Sequence, residues 1–356
     1  MNAVQLRGYQ LRVIDKASMR TQGVIESPTG SGKTITALEL IRRVGHRAVV
    51  LVHSQLLARQ WGHVIKTILG LKAGQIGDGV WEEGAEITVA MMQTLVARPD
   101  QAKLFAQKIG MVVVDECHHA PATTFAKVIG MFPALHRFGF TATPDRGDGL
   151  GEIVNRLIGD TIAVVSPHEV QEVGGIVSVV VEAHRTGRTY SNVSPDDKRA
   201  YSKLLEAIVT DQGRNQMIAR LAMSMNARQT LVLTDRVEHA ETLAGQIMGS
   251  LLVHGKLPAK ERNERMSKMA TAKVVVGTKG LLGEGLDCSV WDTLILATPI
   301  SGETPLLQAV GRVIRPAPGK GKALVIDLVD DHPFTLGMWR KRSAVYRRRE
   351  WAMHRV

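Results

Sequence analysis

A chain of 356 residues has room for roughly two domains that each bury a core, and 44% hydrophobic against 22% charged residues excludes an intrinsically disordered chain. Aromatic residues make up only 4%, so the cores are aliphatic, as in buried parallel sheets of Val, Ile and Leu. A net charge of +11 favours a polyanionic partner, while two cysteines, Cys117 and Cys288, exclude a disulfide framework and a zinc ribbon and suit a reducing cytoplasm.

In chain order, residues 6–10 read LRGYQ, and a short apolar segment at 23–26 runs into Ser27-Pro28-Thr29-Gly30-Ser31-Gly32-Lys33-Thr34. This is a phosphate loop whose first position carries Ser27 where the pattern has Gly. Gly30 and Gly32 let the backbone close on phosphate oxygens. The N–H groups of Thr29, Gly30, Ser31 and Gly32, with the start of a helix at 34–43, point at an anion. Lys33 reaches the outer phosphates of ATP, and Thr34 offers its hydroxyl to Mg²⁺.

A strand at 47–52 passes through His53 and Ser54 into a helix at 55–69, and a strand at 87–91 leads to Gln93 and Thr94. Hydroxyl and N–H groups at such junctions suit a nucleic-acid phosphate or a helix cap. The strand at 111–114 ends in Asp115-Glu116. Acids at a strand's carboxyl end sit where open α/β sheets bind ligands. Asp115 is the candidate for Mg²⁺, and Glu116 for orienting or deprotonating the attacking water. Cys117, His118 and His119 follow, but adjacent side chains do not converge on one ion, so no zinc is expected. A strand at 138–141 closes this series.

The alternation breaks between 166 and 198, a stretch rich in turn residues that reads as a connector with a small hairpin of its own. It then resumes with strands at 230–234, 273–277, 293–297 and 323–328 and helices at 236–248, 258–269 and 305–313. Arg236, and His254 with Gly255, stand just after strands, and Arg312 and Arg315, three apart in a helical pattern, share a face. The expected layout is a domain over 1–165, a connector over 166–198, a domain over 199–335 and a basic helix with interleaved aromatics over 336–356. No segment has a signal-peptide layout, and no apolar run approaches the ~20 residues that span a bilayer.

The motifs in this order resemble superfamily 2 helicases over nearly the full chain. Asp115–His119, DECHH, resembles their motif II as found in type III restriction motor subunits and phage and repair DNA helicases. Residues 140–144, FTATP, resemble motif III, and residues 308–315, QAVGRVIR, match the motif VI pattern QxxGRxxR. The resemblance implies an α/β fold of two RecA-like P-loop domains with parallel sheets and an ATP cleft between them. It implies that Arg312 and Arg315 act on the γ-phosphate from the second domain, that Gln308 contacts the γ-phosphate or the attacking water, and that Gln10 reads adenine. Residues 279–287 resemble motif V, with Thr278 just before them on a nucleic-acid phosphate, and Gly285 and Asp287 at the nucleotide. Ser54, Gln93, Thr94, Arg236, His254 and Gly255 fall in segments matching the nucleic-acid motifs. The implied activity is ATP-dependent unwinding or branch remodelling, of DNA in preference to RNA, by a monomer in the cytoplasm of a bacterium or a phage-infected cell. An RNA-remodelling ATPase, an ATP-gated nucleic-acid clamp that separates no strands and a P-loop motor for protein substrates remain as alternatives.

Overall fold

The computed structural model describes residues 5–117, 122–142, 150–193, 200–225, 227–282 and 288–356. The chain divides into two compact units, Met1–Val173 and Gly174–Val356.

The first unit is built on β1 (Gln22–Glu26), β2 (Ala48–Val52), β3 (Gly74–Gly77), β4 (Val80–Glu82), β5 (Ile87–Met91), β6 (Met111–Asp115), β7 (His136–Thr141) and β8 (Thr161–Val164). These form one eight-stranded sheet in the order β4-β3-β5-β2-β6-β7-β1-β8. All neighbours run parallel except the β3–β4 hairpin. Every residue of β2 and β6 is buried, as expected of parallel strands covered by helices on both faces. One core cluster joins Val49, Leu51, Val112 and Val114 to Phe105, Phe125 and Phe132 of the covering segments. Since β1, β7 and β6 are adjacent and parallel, their carboxyl ends open on one edge of the sheet.

The second unit repeats the plan with β9 (Val179–Arg185), β10 (Thr230–Thr234), β11 (Leu251–Val253), β12 (Val274–Thr278), β13 (Thr293–Leu296), β14 (Ala323–Val329) and β15 (Ala352–Arg355). They form a parallel sheet in the order β11-β12-β10-β13-β14-β9-β15. β14 is buried at every residue.

Three expectations about this layout change. The stretch 166–198 is no free connector: the helix Pro167–Glu172 belongs to the first unit, and β9 is inserted between β14 and β15 of the second sheet. The helix expected at 305–313 spans Glu303–Val310 and ends at Gly311. The basic tail is a helix, Pro333–Arg348, followed by the strand β15, so it completes the sheet.

Part of that tail's charge is structural. Arg342, 2% exposed, makes two 2.8 Å hydrogen bonds to the carboxylate of Asp327 in β14 and a third of 2.9 Å to the Ile300 carbonyl. Tyr346 donates to the same carboxylate at 2.8 Å. Trp339 and Trp351 pack against the Tyr346 ring at 6.1 and 5.7 Å, so the interleaved aromatics are used within the fold. Removing one partner of a fully buried pair strands the other charge, a loss of ~3–5 kcal/mol. Arg342→Ala is therefore expected to lower the melting temperature by on the order of 10 °C in a thermal scan, and an unchanged midpoint would contradict this account.

Candidate functional site

The phosphate loop leaves β1 and turns back into the helix Lys33–Val44. The turn needs left-handed backbone at Gly30 (φ 86°) and Gly32 (φ 79°), which side chains rarely tolerate. Ser27, standing where the pattern has glycine, is buried and donates its hydroxyl to Ser31 Oγ at 2.6 Å, closing the loop across its base. Its N–H bonds the Thr141 carbonyl at 2.8 Å, tying the loop to β7. From behind, the helix Gly8–Ser18 braces the same turn. Tyr9 OH donates to the Ser31 carbonyl at 2.7 Å, and Gln10 Nε2 to that carbonyl at 3.1 Å. Gln10 Oε1 in turn accepts from Arg7 N–H at 2.9 Å. Both ends of the Gln10 amide are thus engaged, and reading adenine requires exchanging these bonds.

Lys33, at the first position of the helix, extends its ammonium to Glu116 Oε1 at 3.1 Å and to the Ser27 carbonyl at 3.4 Å. Glu116 meets it because the chain enters the left-handed region directly after β6, at φ 48°. For a residue with a side chain this backbone costs on the order of 1 kcal/mol, and such strain gathers at functional sites. Asp115 sits beneath, 6% exposed, accepting from Trp61 Nε1 at 2.7 Å. Burial, and then the Glu116 charge, push the Asp115 carboxyl up to about 6, against the opposing influence of Lys33, Trp61 and His53. Burial, and then Glu116 and Asp115, push the Cys117 thiol far above its ordinary range, which leaves it unreactive. Thr141 is buried at the end of β7. His118, His119, Thr143 and Pro144 lie outside the described residues.

The residues fit a triphosphate with a divalent cation. They combine an ammonium, loop N–H groups at a helix start, the half-buried Thr34 and a buried carboxylate whose ionisation burial and a like charge oppose. A cation is what relieves that opposition.

The strand-contact candidates of this unit gather at the carboxyl ends of the neighbouring strands β2 and β5. Ser54 caps the helix Gln55–Leu69, its hydroxyl accepting from Leu57 N–H at 3.4 Å. Exposed Gln93 donates to the His53 carbonyl at 3.1 Å, and Thr94 follows it, half-buried, in the helix Met92–Ala97.

In the second unit, Arg236, Thr278 and the pair His254-Gly255 stand at the carboxyl ends of the adjacent strands β10, β12 and β11. Arg236 and Gly255 are exposed, whereas His254 is buried, with Nε2 3.5 Å from Glu241. Sequence reading passed over Lys279, whose ammonium links Asp235 at 3.0 Å to the Pro299 carbonyl at 3.3 Å across three strand ends. Gln308 lies half-buried in the helix Glu303–Val310. Arg312 and Arg315 do not share a helical face, because the helix has ended: Arg312 N–H bonds the Ala309 carbonyl in a tight turn, and Arg315 follows beyond it. Arg312 is buried and Arg315 half-buried. Gly285 and Asp287 lie outside the described residues.

Two family models match in tandem: the Type III restriction enzyme, res subunit, over residues 3–146, and the Helicase conserved C-terminal domain over residues 213–317. The chain carries the tandem domain pair of the superfamily 2 helicases. A probable helicase, D10, of Escherichia phage T5 is 26% identical over 341 residues, covering 92% of this chain and 72% of the phage protein. A putative DNA 3'-5' helicase, Rad25, of Haloarcula marismortui is 27% identical over 331 residues, covering 88% of this chain and 51% of the archaeal protein. A mimivirus relative bears the name putative ATP-dependent RNA helicase. The chain thus spans about three-quarters of the phage relative and about half of the archaeal one. In fold it resembles a fragment of a putative HsdR subunit of a type I restriction enzyme from Vibrio vulnificus YJ016, with a TM-score of 0.74 at 19% identity over 98% of this chain and 68% of that one. Among the described residues, no helix is long and apolar enough to cross a membrane.

Below the Arg236 turn, His239 is 1% exposed, with Nδ1 2.7 Å from Thr234 Oγ1 and Nε2 2.8 Å from Asn215 Oδ1. Burial, reinforced by Arg214, lowers its pKa from 6.5 to about 3. In the unfolded chain the ring takes a proton near its ordinary ~6.5, and in the folded chain only near 3. The stability tied to this difference is present above pH ~6.5 and is lost as pH falls toward 3. Melting temperatures measured from pH 7 to 4 are expected to fall less steeply for His239→Gln than for the wild type, and parallel slopes would contradict the assignment.

Proposed function

We propose that the chain is an ATP-driven motor acting on DNA, in which a triphosphate bound at the Lys33 loop takes the place that Glu116 holds on the ammonium. The observation that carries this reading is the 3.1 Å Lys33–Glu116 contact directly above buried Asp115. It puts a phosphate-binding cation, a candidate base and a candidate metal ligand at the ends of two parallel strands one strand apart.

In this reading Lys33 and the loop N–H groups hold the outer phosphates, and Thr34 and Asp115 hold Mg²⁺. When bound, the ion supplies charge neutralisation at the phosphates. Glu116 orients the attacking water and accepts its proton. Gln308, Arg312 and Arg315 of the second unit are the candidates for stabilising charge on the γ-phosphate. Ser54, Gln93 and Thr94 at the carboxyl edge of the first sheet, and Arg236, Gly255 and Thr278 at that of the second, are the candidates for contacting a nucleic-acid strand. The buried His254 side chain supports a role in holding that turn. The DNA preference follows the DNA helicase names among the relatives, and the net charge of +11 suits a polyanion of either kind. The same comparisons suit a reducing cytoplasm as the setting, as do the buried thiols of Cys117 and Cys288.

ATP turnover across single-stranded, duplex and forked DNA and RNA tests the reading. DNA is expected to stimulate it, and raising the salt to remove the stimulation. Lys33→Ala, Glu116→Gln and Arg315→Ala are each expected to cost at least ~100-fold in stimulated turnover. Wild-type turnover in all three would end the site assignment. Stimulation by RNA alone would move the substrate to RNA, and indifference to nucleic acid would end the motor reading.

A further inference from the structure

The indole N–H of Trp61 donates to Asp115 Oδ2 at 2.7 Å, from a side chain only 2% exposed on the inner face of the helix Gln55–Leu69. A core position there needs only apolar volume. An indole adds one donor and no acceptor, which matches a carboxylate oxygen and little else in that interior. The same helix starts at Ser54, and the residue before it, His53, receives the Gln93 amide on its carbonyl. Trp61 lies seven positions after Ser54, a span of ~10 Å at ~1.5 Å per residue. One rigid element therefore runs from the strand-contact end of β2 to the carboxylate.

We propose that Trp61 is a positioning residue: it holds one oxygen of Asp115 so that the other faces the cation, and through its helix it makes that presentation respond to a bound nucleic-acid strand. The inference rests on the reading of Asp115 as the cation carboxylate. Phosphates at the Ser54 turn press on the end of a helix whose second turn grips Asp115. Strand occupancy then reaches the nucleotide site without any change in the phosphate loop. Hydrogen-bond partners of metal-binding carboxylates commonly set metal affinity by ~10–100-fold.

Trp61→Phe keeps the ring volume and removes the donor. The readout is the Mg²⁺ concentration that gives half-maximal binding of a fluorescent ATP analogue, followed by polarisation on the full chain, with and without oligothymidylate. In the wild type the oligonucleotide is expected to lower this concentration. In Trp61→Phe the requirement is expected to rise at least ~10-fold and to lose its response to the oligonucleotide. A purely structural role would lower the melting temperature and leave the Mg²⁺ requirement in place. Wild-type behaviour of Trp61→Phe, alongside loss of Mg²⁺-dependent binding in Asp115→Asn, overturns this inference alone. Mg²⁺-dependent binding that survives in Asp115→Asn overturns the site reading beneath it.

If Trp61→Phe does not fold, the wild type suffices. With ¹⁵N-tryptophan the chain gives indole signals from its five tryptophans, and the one most broadened by Mn²⁺ with the ATP analogue is assigned to Trp61. Oligothymidylate is expected to shift that signal in the absence of nucleotide, and a signal that stays fixed overturns the inference.

Discussion

The structure turns on one ion pair, Lys33 with Glu116, which joins the first strand of the first unit to its acid-bearing strand. Neither residue reaches the other by local geometry. Lys33 is delivered by a loop that needs two left-handed glycines, and Glu116 by a left-handed residue with a side chain. The contact exists because β1 and β6 lie on either side of β7 in a parallel sheet, with their carboxyl ends on one edge. The backbone strain at Glu116 is offset by what that turn achieves, a carboxylate pointed at the phosphate loop.

The surrounding contacts hold this pair in register. Ser27 bonds both Ser31 and the end of β7, Tyr9 and Gln10 fasten the back of the loop, and Trp61 fastens Asp115. The second unit repeats the parallel plan and fixes its own edge differently, through Lys279 across three strand ends and through the buried Arg342–Asp327 pair. A buried pair of this kind contributes little net stability over an apolar replacement. Its effect is to fix where the last helix lies on β14.

The central strands were legible in the sequence because parallel strands buried on both faces are continuous runs of Val, Ile and Leu, as in residues 48–52, 111–114 and 323–328. The phosphate loop and the two acids were legible because their chemistry fixes residue type and spacing. What could not be read depended on partners distant in sequence. Residues 179–185 look like part of a connector until β14 and β15 pair with them. Arg342 looks like one more surface cation until Asp327, 15 residues earlier, claims it. Trp61 fits the apolar stripe of its helix, and nothing local marks its N–H for Asp115. The spacing of Arg312 and Arg315 suggested a shared helical face, but spacing says nothing of where a helix stops. The fold and the first half of the site were thus written in local pattern, and the bracing of that site was not.

The central claim is that Glu116 holds the place on Lys33 that a phosphate takes. Titrating a non-hydrolysable ATP analogue into the wild type and into Glu116→Gln by calorimetry tests it most directly. The account predicts that Glu116→Gln binds the analogue at least as tightly as the wild type, since the ammonium no longer has to leave a carboxylate. Binding weakened tenfold or more in Glu116→Gln would contradict it.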